Sequence, residues 1–208
     1  MTYAQTYLKW VTSLQAMAQN GLNYSKNPYD IERFHQLQAI AAEMAANISE
    51  APPEKIQALF TEEKGHATPK LDVRGVVFDS EHKILLVKES ADGLWTLPGG
   101  WVDVNEPPSG SVSREVFEES GFTVRPVKLL ALYDKQKHPH PPQWPHIYKL
   151  FFRCEIIEGE PKTSIETLDV KFFSKDNLPD LSTPRVTKEQ IYRFYEHLAH
   201  PDWPTDFD

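Results

Sequence analysis

Glu115, Glu118 and Glu119 stand within five consecutive residues of the stretch Arg114-Glu115-Val116-Phe117-Glu118-Glu119-Ser120-Gly121-Phe122. If that stretch is helical, the ~100° advance per residue brings all three carboxylates onto one face, within about 100° of arc. Like charges three and four residues apart on a helix repel, so crowding them is unfavourable unless a positive charge sits among them. Only oxygen donors are on offer, and no Cys and His set has zinc spacing. The cation that suits such a face is hard, Mg²⁺ or Mn²⁺. A cation held there would mediate between an acidic site and an anionic substrate. Arg114 is placed to hold a carboxylate in orientation. Upstream, Pro98-Gly99-Gly100 breaks any strand, and its glycines let backbone carbonyls come close to a ligand. Taken alone, REVFEES also fits the solvated side of an ordinary surface helix.

The elements that must position these residues follow from periodicity. Tyr3, Tyr7, Leu8, Val11, Leu14 and Met17 recur at helical spacing and stop before Asn20-Gly21, a C-terminal signal. Ile31, Phe34, Leu37, Ala41, Met44 and Ile48 repeat the pattern after Asn27-Pro28, which predicts a helical hairpin. Pro52-Pro53-Glu54 opens a short third helix, and Glu62 to Pro69 reads as a linker with the boundary near residue 66. Strands are expected at Leu71 to Asp79 and Lys83 to Glu89, joined as a hairpin, then at Lys128 to Asp134, His146 to Ile156 and Val170 to Phe173. A helix over Ser109 to Ser120 carries the glutamates, and KEQIYRFYEHL forms another. Helices set among mixed strands indicate α+β or an α/β sandwich rather than a doubly wound sheet.

The chain has 208 residues, 40% hydrophobic and 25% charged, which is ordinary for a folded protein and leaves room for one domain and a small appendage. The net charge of −8 argues against duplex nucleic acid as a partner, because neutralising phosphates takes clustered Lys and Arg. No apolar run approaches the ~20 residues of a membrane span, and the N-terminal stretch lacks the basic start of a secretion signal. The lone Cys154 reads as a buried thiol on a strand, which together with the missing signal predicts a cytoplasmic protein.

Gly100, five residues, Glu106, seven residues, then Arg114 to Phe122 resembles the signature of the Nudix hydrolases. Seven fixed residues agree, a coincidence on the order of 10⁻⁸ per starting position at roughly one in fifteen each, which outweighs the solvated-helix reading. Val116 and Phe122 fill the hydrophobic slots. The resemblance implies an α/β fold, the Nudix αβα sandwich with a mixed sheet, over residues 67–208, preceded by a helical segment over 1–66. It implies hydrolysis of a nucleoside diphosphate linked to another moiety, assisted by Mg²⁺ or Mn²⁺. On it, Glu115, Glu118 and Glu119 are metal ligands, a carbonyl of Gly99 or Gly100 completes the shell, Arg114 orients Glu115, and Glu106 and Gly121 support the motif. Glu115 is the first candidate for the general base, with Glu166, in SIETLD, the second; Glu158, Glu160 and Glu166 equally fit a solvated loop. The segment Asn20 to Phe34 looks like the one preceding the Nudix domain in a bacterial subgroup of ADP-ribose pyrophosphatases, some of which cleave CDP-choline. Two short amphipathic helices bury little alone, so a homodimer is expected, with an intramolecular cap as the alternative.

Further candidates rest on weaker signals. Arg74 lies among apolar neighbours in a strand and needs a partner, either substrate phosphate or a local carboxylate. Trp95, Trp101, Tyr133 and Trp144 could stack on a base, although Trp95 and Tyr133 fit a core equally. Trp144 sits in the proline-stiffened loop His138 to Pro145, where His138 and His140 are expected to be exposed and to ligate nothing. RNA end processing and non-catalytic nucleotide sensing are the competing functions. The first lacks a clear basic track, and the second is disfavoured by the intact glutamates.

Overall fold

The computed structural model describes residues 3–49 and 51–208 and divides into two compact units, 1–69 with 142–146, and 70–141 with 147–208. In the first, α1 (Tyr3–Tyr24), α2 (Pro28–Ala46) and α3 (Pro53–Glu62) pack together. Asn27 caps α2 by accepting a hydrogen bond from the Tyr29 amide at 2.9 Å. The expected stop at Asn20-Gly21 does not occur: α1 runs through to Tyr24. Gly21 serves packing instead, since the Phe34 ring lies where any Cβ at that position would stand. Ala41, Ala42, Ile56 and Phe60 form the small core, with Leu14 and Trp144 packed against it. Gln15 and Gln38 both reach the Phe60 carbonyl. Tyr3 and Met17, which the spacing puts on the apolar stripe, are exposed, as are Trp10, Tyr24 and Tyr29. No helix among the described residues is long and apolar enough to cross a membrane.

The second unit holds two sheets. Strands β1 (Lys70–Val77), β4 (Phe122–Asp134), β5 (Ile147–Gly159) and β7 (Asp206–Phe207) form a mixed sheet in the order β1-β5-β4-β7. Within it β1 runs parallel to β5, β5 antiparallel to β4, and β4 parallel to β7. Strands β2 (Ile84–Glu89), β3 (Trp95–Thr96) and β6 (Thr167–Phe173) form an antiparallel sheet in the order β3-β2-β6. The anticipated β1–β2 hairpin is therefore corrected. The turn forms, with Asp79 accepting from the Glu81 and Lys83 amides, but only Phe78 and Ile84 bridge before the strands part into different sheets. The edge of β1 that a hairpin partner would use is taken by the loop after β3: Val73 donates to the Gly100 carbonyl and Gly75 to that of Pro98, each at 2.8 Å.

Alternation along the strands builds a layer on each face. Val73, Val77, Leu85 and Val87 pack with Val112 and Val116 of α4 (Pro108–Ser120). Their neighbours Val76, Ile84 and Leu86 pack with Ile191 and Phe194 of α5 (Lys188–Ala199). This period-two division of apolar residues is the αβα sandwich. Cys154 is buried on β5, and burial pushes its thiol up to about 12. Sequence spacing missed the first half of β4, whose apolar residues are interrupted by Thr123, Arg125 and Pro126, and both two-residue strands.

Candidate active site

The glycine turn and helix α4 face one another because β1 holds one and packs on the other. Gly99 has a φ of 141°, and a Cβ there would meet the Val73 carbonyl at 2.1 Å, so only glycine lets the turn lie this close to the strand. Its amide donates to Glu119 Oε2 at 2.8 Å. Of the two candidate carbonyls, that of Gly100 accepts from Val73, whereas that of Gly99 receives no hydrogen bond from the described residues. The Glu115 carboxylate lies against Gly100, within 2.9 Å of where a Cβ would be. Gly121 ends α4 in the left-handed conformation, its amide on the Phe117 carbonyl, and a side chain there would strike the Glu160 carbonyl.

Arg114 supplies the positive charge that the crowded face requires. Its Nη1 contacts Glu115 Oε1 at 2.8 Å and Glu118 Oε2 at 3.0 Å, while Nε and Nη2 fork onto Glu106 at 3.1 and 2.9 Å. The bond from Arg114 holds the Glu106 carboxyl below its ordinary range, which ties the loop to the helix. Glu115 is raised, since its burial outweighs the attraction of Arg114. Glu119, only 6% exposed, is pushed up to about 8 by burial, despite Arg74 and the Gly99 amide.

Arg114, Glu115, Glu118, Glu119 and the glycine turn line a cleft of about 870 Å³ together with Glu166, Trp101, Phe117 and Lys162. Glu166 is carried on a loop fastened at both ends: its carbonyl accepts from the Ser90 amide at 2.9 Å, its amide donates to Ser164 Oγ at 3.2 Å, and Thr167 Oγ1 donates to the Glu119 carbonyl at 2.9 Å. Arg74 also borders the cleft, but its guanidinium is committed. Nε and Nη2 grip Asp72 at 3.0 and 2.8 Å, and Nη1 donates to the Leu97 carbonyl at 3.1 Å. The local carboxylate, one of its two expected partners, is that of Asp72. Tyr133 is buried in the core with its hydroxyl on Asp206, and Trp144 packs its ring on Phe60 in the helical unit, so of the four stacking candidates it is Trp101 that faces the cleft. The expectation that His140 is exposed is also corrected. It is buried, with Nδ1 on the Thr183 carbonyl at 2.7 Å and Nε2 facing the Gln190 amide group. Glu89 and Arg185 line the cleft too and went unnoticed in the sequence. Glu89 had left a trace, as a carboxylate ending the apolar run ILLVKE; Arg185, in a loop, had left none.

As placed, no three acidic, His or Cys side chains among the described residues form a ready cation cage, because Glu115 and Glu118 share Arg114 while Glu119 holds Gly99. The donors nonetheless fit a hard divalent cation: three carboxylates from one helix, an uncommitted carbonyl at Gly99, and no nitrogen or sulfur among them. The raised Glu119 has a measurable consequence. Its folded-state value lies above the unfolded one, so the contribution of Glu119 to the stability of the unligated protein, up to a few kcal/mol, should be lost as pH rises from about 4.5 to about 8. Glu119→Gln should flatten that stretch of the melting profile in EDTA; an unchanged slope would show that Glu119 is not its source.

Comparison with known proteins agrees with this geometry. Residues 68–198 match the model of the NUDIX domain, and residues 5–60 that of a UDP-X-like, N-terminal oligomerisation domain. The chain belongs to the Nudix family and is a Nudix hydrolase, a pyrophosphatase similar to the ADP-ribose pyrophosphatases. It is 46% identical over 203 residues to the Bacillus subtilis protein YjhB, provisionally named an ADP-ribose pyrophosphatase, covering 96% of this chain and 97% of that one. An ADP-ribose pyrophosphatase from Methanocaldococcus jannaschii is 32% identical over 117 residues, 55% of this chain and 67% of its own. Among solved structures, a UDP-X diphosphatase superposes over 100% of both chains with a TM-score of 0.64 at 30% identity. An ADP-ribose pyrophosphatase from Streptococcus suis gives 0.62 at 41% identity, over 68% of this chain and 100% of that one.

Proposed function

We propose that the protein is a divalent-metal-dependent hydrolase that cleaves the pyrophosphate linkage of a nucleoside diphosphate derivative and releases a nucleoside monophosphate. ADP-ribose is the leading substrate and CDP-choline the second. The observation that carries this is the convergence of Glu115, Glu118 and Glu119 with the Gly99 turn in one cleft. Glu115, Glu118, Glu119 and the Gly99 carbonyl would hold Mg²⁺ or Mn²⁺, which supplies charge neutralisation at the phosphate oxygens and a water of lowered pKa. The chain's own groups do the rest. Arg114 keeps Glu115 and Glu118 apart from one another's charge, and Glu106 keeps Arg114 in place. A carboxylate on the cleft wall takes the proton from the attacking water; Glu115 is the first candidate, and Glu166 faces the same cleft.

Release of AMP from ADP-ribose, or CMP from CDP-choline, with Mg²⁺ and none in EDTA tests this reading. Binding without turnover would favour a sensing module, and preference for capped RNA an end-processing enzyme. The exposed Trp10, Met17, Tyr24 and Tyr29 on α1 and α2 support a homodimer built through the N-terminal helices, in a protein working in the cytoplasm. The full chain should sediment as a dimer, and Trp10→Glu should shift it toward monomer; a monomeric wild type at micromolar concentration would refute the assembly.

A further inference from the structure

Arg185 and Glu89 border the cleft and have no part in the reaction outlined above. Arg185 Nε meets Glu89 Oε1 at 3.0 Å, and its Nη1 meets Asp92 Oδ2 and Ser182 Oγ, each at 2.9 Å. Nη2 donates no hydrogen bond to the described residues. The side chain is roughly a quarter exposed, at 27%.

The guanidinium is held before any ligand arrives. The amides of Arg185 and Val186 donate to the Ser182 carbonyl at 2.8 and 3.0 Å, and the Ser182 amide donates to Trp95 at 2.8 Å. Ser182 Oγ donates to Asp92 at 2.7 Å. One residue on, the Thr183 carbonyl is fixed by buried His140. A side chain ordered in this way loses little further freedom when it binds.

The charge of the group restricts what it binds. One guanidinium stands between two carboxylates, so the cluster is net negative and gives no net attraction to a phosphate. What it presents is a free N–H edge beside a carboxylate, a donor next to an acceptor. A hydroxyl both donates and accepts, and adjacent hydroxyls on a sugar ring match that pairing. A quaternary ammonium can draw on the negative charge of the cluster, but it has neither a hydrogen to donate nor a lone pair to accept and so engages neither half of the pair by hydrogen bonding.

We propose that Arg185 and Glu89 bind hydroxyls of the sugar attached to the far side of the diphosphate, so that the cleft takes nucleotide sugars in preference to CDP-alcohols or simple nucleoside diphosphates. This rests on the pyrophosphohydrolase reading. The test is steady-state kinetics of the full chain with Mg²⁺ on ADP-ribose, ADP-glucose, CDP-choline and ADP, for wild type, Arg185→Ala and Arg185→Lys. Hydrogen bonds to a charged group correspond to a KM increase of roughly ten- to a hundredfold for the two nucleotide sugars. The loss in kcat/KM on CDP-choline should be at least about tenfold smaller, and kcat on ADP-ribose should stay within a few-fold. Millimolar guanidinium should partly restore Arg185→Ala on ADP-ribose, which a merely structural role would not allow. Arg185→Lys retains the charge without the fork and should show the same selectivity pattern if the alanine variant folds poorly. Equal losses on every substrate would place Arg185 on the shared nucleoside diphosphate and overturn the proposal. A wild type that prefers CDP-choline, or variants with unchanged KM, would overturn it while leaving the pyrophosphohydrolase reading intact. Hydrolysis of none of the four by wild type would sink both.

Discussion

Glu118→Gln should fold normally and lose at least about 100-fold in kcat on ADP-ribose at saturating Mg²⁺. The substitution keeps the size of the side chain and removes one negative charge from a face whose other carboxylates, Glu115 and Glu119, are less free to serve. Glu115 is raised by burial and held by Arg114, and Glu119 is nearly inaccessible and bonded to Gly99. Glu118, more than half exposed at 55%, is the most exposed of the three. A metal-bound transition state draws several kcal/mol from charge neutralisation, and losing about 3 kcal/mol of it corresponds to the expected factor. The Mg²⁺ concentration for half-maximal rate should rise together with the fall in kcat. Near-normal turnover at saturating Mg²⁺ would remove Glu118 from the ligand set, and a lowered melting temperature would mean that its bond to Arg114 matters to the fold instead.

The glutamate face was legible in the sequence because helical periodicity alone determines which residues share a side. Periodicity says nothing about what lies across from that side. The pairing of β1 with the Pro98–Gly100 loop was not legible in the sequence, where the polar turn after β1 pointed to the shorter hairpin with β2. Arg74 shows the same limit. Its need for a partner could be read from its apolar neighbours, but Asp72, two residues away on the same strand, could be recognised as that partner only with both side chains in place. His140 was misjudged because a proline-rich loop reads as surface, and nothing in its pattern reveals that His140 docks on Thr183 or that Trp144 packs on Phe60.

Asp72→Asn should destabilise the protein by about 3–5 kcal/mol, the range for breaking a buried ion pair by removing one partner. Asp72 is shared by two cations, Arg74 through both carboxylate oxygens and Lys149 at 2.5 Å, and all three residues are nearly inaccessible. Burial by itself would raise the Asp72 carboxyl, but the two cations overcome that and hold it down to about 2. An amide in its place has one acceptor for two cations, and its NH₂ group would point at a donor. Two uncompensated charges would then lie beneath the Leu97–Gly100 loop, which Arg74 anchors through the Leu97 carbonyl. The pH dependence gives the damage a recognisable form. Burial already lowers the Lys149 ammonium to about 7 against an ordinary value near 10.5, so the unfolded chain binds the extra proton between those values and stability rises with pH across that interval. Without Asp72 the lysine should shed its proton more readily still, so the deficit of Asp72→Asn should be largest in mild acid and shrink in alkali. Lys149→Met on the same background should recover part of the loss by removing the surplus charge, and the coupling in that double-mutant cycle should exceed about 0.5 kcal/mol. Urea melts of the four proteins at pH 6 and 9 measure it; an Asp72→Asn protein within about 1 kcal/mol of wild type at both values would show that Asp72 is not what keeps Arg74 and Lys149 in the interior.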